Sequence, residues 1–299
     1  MNMNLITSIG EILFDIYKNE KQIGGAPFNF IYHINKFIGQ GWFISAIGND
    51  EYGKEIQEFQ NKNKLSTEFV KIKNEKTTGK VIVKLNDNKI PQYEIKTNAA
   101  YDFIELNIES KIKILDNSDL IYFGSLAQRN SVSRETIQSL FPAKKYLFCD
   151  LNIRQNFYTK EIIETSLSAC NILKINSEEM DLICNLFFSK SLPIKEGVNK
   201  IKSRFNIDFV SVTKGEEGAE LFSNSKSVST KAKNVNIVDT VGAGDAYSSI
   251  LALGILNNLD LEKINNLATS FAAEVCKQQG ALIKDDNIYS EYIKELLNG

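Results

Sequence analysis

Stretches of strand length, rich in β-branched and aromatic residues, recur along the chain between segments whose apolar residues fall at helical spacing. The strand-like stretches read LITSIG, WFISAIG, LIYFGSL, YLFCDLNI, NILKIN, DFVSVTK and VNIVDT. Helical periodicity runs over Phe28 to Phe37, Glu51 to Gln60, Ser133 to Leu140, Lys160 to Ser168, Glu178 to Phe187 and Ile194 to Phe205. After Asp245 the pattern is almost entirely helical. This alternation predicts an α/β fold with a mostly parallel sheet covered by helices on both faces. Ligands of such sheets sit beyond the carboxyl ends of the strands, so residues just after each strand are the first candidates for chemistry.

One region breaks the rhythm. Thr77 to Thr97 (TTGKVIVKLNDNKIPQYEIKT) alternates at period two around a polar Asn-Asp-Asn turn, which predicts a β-hairpin. Its single apolar face has to be covered, so it closes over the mouth of the sheet as a lid, clasps a second subunit, or remains a plain surface excursion. With only four prolines, no repeat and no low-complexity tract, residues 1–299 read as one domain. The lid or clasp is expected to draw on about residues 11–24 and 77–97.

Composition narrows the chemistry. Lys plus Arg (35) nearly balances Asp plus Glu (37), so no net field draws the chain to nucleic acid or an anionic membrane, and a small-molecule substrate is expected. No apolar run approaches membrane-spanning length and the first residues lack a signal-peptide pattern, which favours a cytoplasmic protein. Cys149, Cys170, Cys184 and Cys276 lack Cys-x-x-Cys spacing and read as buried thiols. The single histidine, His33, excludes any mechanism that needs two, and its place within a helical apolar pattern reads as structural.

The most informative stretch is Asp239-Thr-Val-Gly242-Ala243-Gly244-Asp245, which runs from the end of the VNIVDT segment into a long apolar helix. Gly242, Ala243 and Gly244 carry almost no side chain, so their amides can approach a phosphate at the positive end of that helix. Neither a dinucleotide fingerprint nor a Walker A loop fits the spacing. Asp245 reads either as a helix cap or as a general base for an alcohol attacking a phosphoryl group; the helix N-terminus favours its carboxylate, hence a weak base. Near the other end, Asp15 and the run Gly24-Gly25-Ala-Pro-Phe-Asn29 supply either turn residues or the carboxylate, amide and close backbone that hold vicinal hydroxyls.

Together these two segments, in this order and about 215 residues apart, resemble the two signatures of the ribokinase-like (PfkB) carbohydrate kinase family. The resemblance spans essentially the whole chain, and the wording GEILFD, GGAPFNFIYH and GSLAQR is most similar to fructokinase-type members. It implies a ribokinase-like three-layer sandwich with a small β lid, and transfer of the γ-phosphate of ATP to a primary sugar hydroxyl, most closely that of fructose. Asp245 would be the base and Gly242, Ala243 and Gly244 the anion hole. Asp15, Gly24, Gly25, Asn29 and Arg154 would face the sugar, and Asn176, Glu179, Thr213, Gly215 and Gly218 the nucleotide. Glu179 would influence Mg²⁺ through water, and carbonyls around Asp239 and Gly280 would form a K⁺ site.

Residue chemistry alone leaves plainer readings open. Glu179 reads equally as a first-turn acid with Asn176 its cap, Arg154 as an ion-pair partner, and Gly215 with Gly218 as a β-turn. Gln128 and Arg129 have no assignment. Ile31 and Ile250 stand where family members usually carry small residues, which bears on packing rather than chemistry. Other substrates remain open: ribose, a nucleoside, or 2-keto-3-deoxygluconate, whose carboxylate would suit Arg154. A sugar-binding sensor without catalysis is the alternative from another class, and the intact Asp245 argues against it.

Overall fold

A computed structural model describes residues 4–18, 20–85, 91–143 and 145–297. In chain order the elements are β1 (Ile6–Ile9), β2 (Leu13–Ile16), β3 (Lys21–Gly24), α1 (Ala26–Ile38), β4 (Trp42–Gly48), α2 (Glu51–Lys62), β5 (Val70–Lys73), β6 (Gly79–Leu85) and β7 (Pro91–Ile95). There follow α3 (Ile108–Asn117), β8 (Leu120–Phe123), α4 (Ser131–Gln138), β9 (Tyr146–Asp150), α5 (Lys160–Ala169), β10 (Ile172–Asn176), α6 (Ser177–Phe188) and α7 (Ile194–Phe205). The last are β11 (Phe209–Thr213), β12 (Ala219–Phe222), β13 (Ser227–Thr230), α8 (Ala243–Leu256), α9 (Leu261–Cys276) and α10 (Asp286–Leu297).

Among the described residues the large sheet runs β13-β12-β11-β10-β9-β8-β1-β4-β5. It is parallel from β11 to β5, and antiparallel where β12 and β13 extend it. Pleating separates its side chains into two cores although strands such as LIYF are apolar throughout. Ile121 and Phe123 of β8 face a core shared with α4 to α7, whereas Leu120 and Tyr122 face one shared with α1, α8 and α9. The expected three layers are present. Ile31 and Ile250 are both buried, and the bare Cα of Gly41 beside the Ile31 side chain makes room for the larger residue.

A second sheet runs β3-β2-β6-β7. Its outer pairs are antiparallel and its inner pair, β2 with β6, is parallel. The hairpin anticipated between Thr77 and Thr97 thus exists as β6 and β7, while its Asn-Asp-Asn turn lies outside the described residues. Gln22 of β3 stands against Gly280, and the Gln155 side chain donates a hydrogen bond to the Tyr93 carbonyl of β7. The small sheet therefore touches the loops on two sides of the large sheet's carboxyl edge.

VNIVDT, expected as a short strand, forms none. The sheet already ends at β13, and the Val238 and Asp239 amides donate instead to the Cys276 carbonyl at the end of α9. Ile237 and Val238 are more than 60% exposed, so an apolar run here does not mark a core strand. His33 is structural: Nε2 lies 3.1 Å from the Ala281 carbonyl and Nδ1 2.8 Å from the Tyr289 hydroxyl. Burial pushes its imidazole down to about 3, so it stays neutral in the fold.

Candidate active site

The α1 helix begins where Gly25, at φ 109°, turns the chain out of β3. A Cβ on Gly25 would stand 2.5 Å from the Glu11 carbonyl, so the position needs glycine both for its backbone and for its neighbour. Asn29, one turn into the helix, then points at α8. Its Nδ2 donates to Asp245 Oδ2 at 2.8 Å, joining residues 216 apart in sequence at a buried contact. Asn29 Oδ1 is buried without a partner, leaving one acceptor for a ligand.

Asp245 is not the helix cap. Gly242 fills that position in a left-handed conformation (φ 80°), which puts Asp245 in the third helical position with its side chain turned to Asn29. Among the described residues the amides of Gly242, Gly244 and Asp245 meet no acceptor, and that of Ala243 reaches only the Thr240 carbonyl at 3.3 Å. They are the unsatisfied first-turn donors of a helix, pointing along its positive end.

The expectation of a weak base does not hold. Burial, reinforced by the neighbouring Asp150 carboxylate, pushes Asp245 up to about 7, against the opposing pull of Lys174, Asn29 and Arg154. A helix terminus stabilises a carboxylate by only about 0.3–1 kcal/mol at a surface, and here it is outweighed. If Asp245 must be ionised to act, kcat/KM should fall below an apparent pKa near 7. A profile flat from pH 8 down to about pH 5 would separate Asp245 from the acid limb.

Two further carboxylates share this end of the sheet. Asp15 on β2 lies over Gly24, where a Cβ would stand 2.7 Å from its Oδ2, and partial burial pushes it up to about 6. Arg154 acts against that rise while Asp239 adds to it, so all three stand within electrostatic reach. Arg154 itself is exposed and makes no ion pair among the described residues. Glu11, which sequence reasoning passed over inside GEILFD, is fully enclosed at the end of β1. Burial pushes it up to about 7, and its Oε2 has no partner. Only a carboxylate placed just after a central strand could have singled it out.

The nucleotide-side candidates divide. Asn176 and Glu179 form a reciprocal cap on α6: the Glu179 amide donates to Asn176 Oδ1 at 2.8 Å, and the Asn176 amide to Glu179 Oε2 at 2.9 Å. Glu179 Oε1 also accepts the Ile153 amide at 2.7 Å, fixing the loop that carries Arg154. Thr213, Gly215 and Gly218 lie two strands beyond β9, where β11 turns back into β12 through a short 3-10 turn. Asp239 binds two loops, accepting the Val241 and Gly280 amides at 3.0 Å each.

The unassigned GSLAQR segment also finds its place. Arg129 donates from Nε and Nη2 to the two oxygens of Asp102 at 2.8 and 2.9 Å and stacks over Tyr101 and Phe157, while Gln128 is buried against Gly124 and Ser166. Arg129 Nη2 also reaches the Lys96 carbonyl just after β7, so it anchors the small sheet.

At the carboxyl edge of a three-layer α/β fold, an enclosed carboxylate beside open helix-terminal amides can accept a proton next to a bound anion. Residues 3–287 match the pfkB family carbohydrate kinase profile, and the chain belongs to that family. It is 28% identical to the protein named "Putative sugar kinase PH1459" of Pyrococcus horikoshii over 93% of this chain and 91% of that one. The crystal structure of that protein, described as an uncharacterized sugar kinase, superposes with a TM-score of 0.80 over 98% of this chain and 100% of its own. A fructokinase of Vibrio alginolyticus is 25% identical over 94% of this chain and 92% of its own length. A Vibrio cholerae O395 fructokinase double mutant in its fructose, ADP and potassium ion bound form shares the fold at 20% identity, TM-score 0.77, over 97% and 98% of the two chains.

Proposed function

We propose that this sugar kinase transfers the γ-phosphate of ATP to the primary hydroxyl of fructose, giving fructose 6-phosphate. The observation that carries the reading is the Asn29 to Asp245 contact at the mouth of open amides, because it joins a hydroxyl-binding segment to a base and an anion receptor. Asp15, Gly24, Gly25, Asn29 and Arg154 hold the sugar, and Asp245 takes the proton of the attacking hydroxyl. In a loose transition state little proton transfer is needed until late, so orientation by Asn29 matters as much as basicity. The small sheet closes the mouth as a lid; clasping a second copy is the alternative use of the same strands.

The residues present fit ATP, since unpartnered amides at Gly242, Gly244 and Asp245 are donors awaiting an anion. Thr213, Gly215 and Gly218 would line the nucleotide beyond them. Mg²⁺ would neutralise phosphate charge. Each Glu179 oxygen accepts an amide and the side chain is buried, which suits contact with the metal through water, and among the described residues no three His, Cys, Asp or Glu side chains converge on one point. Asp239 is similarly committed, so a K⁺ ion would be held by backbone carbonyls there and near Gly280. The V. cholerae enzyme with fructose, ADP and potassium supports this set.

Glu11 and Asp245 act on each other as like charges, and Arg154 acts on Glu11, Asp15 and Asp245 alike, so acidic groups outnumber the one exposed arginine near them and disfavour an anionic substrate. One observation favours the second reading, a sugar acid such as 2-keto-3-deoxygluconate: Arg154 has no ion-pair partner and could receive a carboxylate. ADP release measured against ketoses, aldoses, sugar acids and nucleosides decides between them. Fructose should lead. A sugar acid turned over at least about tenfold faster would transfer the assignment to the second reading.

A further inference from the structure

Behind the first turn of α8 lies a buried ion pair that the reaction set out above does not use. Asp150, at the end of β9, is wholly enclosed and accepts hydrogen bonds from the Tyr122 hydroxyl (2.9 Å), the Ser248 hydroxyl (2.8 Å) and the Lys174 ammonium (3.0 Å). Lys174 stands beside it on β10, in register with Asp150, and its side chain is only 9% exposed. The single hydrogen of the Ser248 hydroxyl is shared between Asp150 Oδ2 and the Gly244 carbonyl, 3.0 Å away, which ties the pair to the helical turn that carries Asp245. A Cβ on Gly244 would stand 2.9 Å from Lys174 Nζ, so the missing side chain is what admits the ammonium to this backbone.

Packing does not account for this lysine. Burial works against an ammonium, and apolar residues of similar volume often replace buried ion pairs with no loss of stability. Here Asp150, then Glu179 and Asp245, outweigh the burial and keep Lys174 charged. A positive charge retained inside the protein at a helix N-terminus stands where negative charge would arrive.

We propose that Lys174 is a positioning residue of phosphoryl transfer: pinned by Asp150 behind Gly244, its ammonium steadies the Asp245 carboxylate and backs the amides that receive the phosphoryl group. The inference rests on Asp245 being the base. Asp150 and Lys174 act on Asp245 in opposite senses, the first disfavouring its charge and the second favouring it. The remaining groups that face Asp245 are Arg154 after β9, Asn29 on α1, Glu11 after β1 and Tyr122 on β8, and they are common to every variant below.

The test is the pH profile of kcat and of kcat/KM for the sugar in Lys174→Met, Lys174→Gln, Lys174→Arg and Asp150→Asn. Removing the ammonium should move the acid limb up by about one pH unit, and Asp150→Asn should move it down by less, because Asp150 is also the main charge that keeps Lys174 positive. At the alkaline plateau Lys174→Met should lose on the order of tenfold in kcat with sugar KM within about twofold, while Lys174→Arg keeps the wild-type limb. Lys174→Gln retains a donor toward Asp150 and carries the test should the Met protein not accumulate. Loss of activity with unmoved limbs would mean a purely structural pair and overturns the inference. If the limbs stay in place while Asp245→Asn is inactive, Lys174 is excluded and the base stands. If Asp245→Asn itself turns over normally, both fall together.

Discussion

Asp245→Asn should lower kcat by on the order of 10³ or more while sugar binding is largely kept. The split is expected because Asn preserves shape and can still accept the Asn29 amide that now reaches Asp245 Oδ2 at 2.8 Å, whereas it cannot take a proton. The same variant should be more stable than the wild type above neutrality. In the folded chain the Asp245 carboxyl is raised to about 7, well above an ordinary aspartate. A group raised in this way contributes stability that is complete below its unfolded pKa and is lost as pH rises through the folded one. The Asn protein should therefore be more stable at pH 8, by on the order of 2 kcal/mol in unfolding free energy, and the gap should close toward pH 4. Calorimetry at the two pH values, set beside single-turnover kinetics, checks both halves. Equal kcat in the variant would remove Asp245 from the chemistry.

Gly242→Ala should cost on the order of 10²–10³ in kcat/KM for ATP, comparable to losing one well-aimed donor from an oxyanion site. Two effects combine. The backbone at φ 80° disfavours any residue with a Cβ, and that Cβ would stand 2.6 Å from the Ala281 Cα. Ala281 has little freedom to retreat, since its carbonyl sits at 3.1 Å from His33 Nε2 and the preceding Gly280 amide is bound to Asp239. The helix start must give instead, and the open amides turn away from the phosphate they would receive. Far-UV circular dichroism should be retained, because α8 and α9 pack over their whole length in a common core. An Ala variant that binds and turns over ATP at the wild-type level would show that these amides are not the phosphate receptor.

Both expectations draw on features of very different visibility in the chain. The parallel sheet followed from alternating apolar runs and helical periods, because these record only which local face avoids water. The glycine turn was legible because small residues before an apolar helix have few other uses. VNIVDT shows where that reasoning stops: its residues are apolar, but the sheet had already ended, and only the position of β13 reveals it. Lys174 was hidden for the opposite reason. Within NILKIN it looks like one polar residue on an otherwise buried strand, and its partner Asp150 is brought beside it by strand pairing rather than by sequence.

Composition and periodicity thus determined the layers, the order of the segments and the two ends from which the site is built. The tertiary structure alone decided that Asn29 meets Asp245, that Glu11 is enclosed, and that Asp245 is a stronger base than a helix start would make it. The reason is physical: a local pattern reports the partition of each side chain between water and protein. Contacts across more than 200 residues, and the loss of solvent around a charge, exist only once the layers have packed.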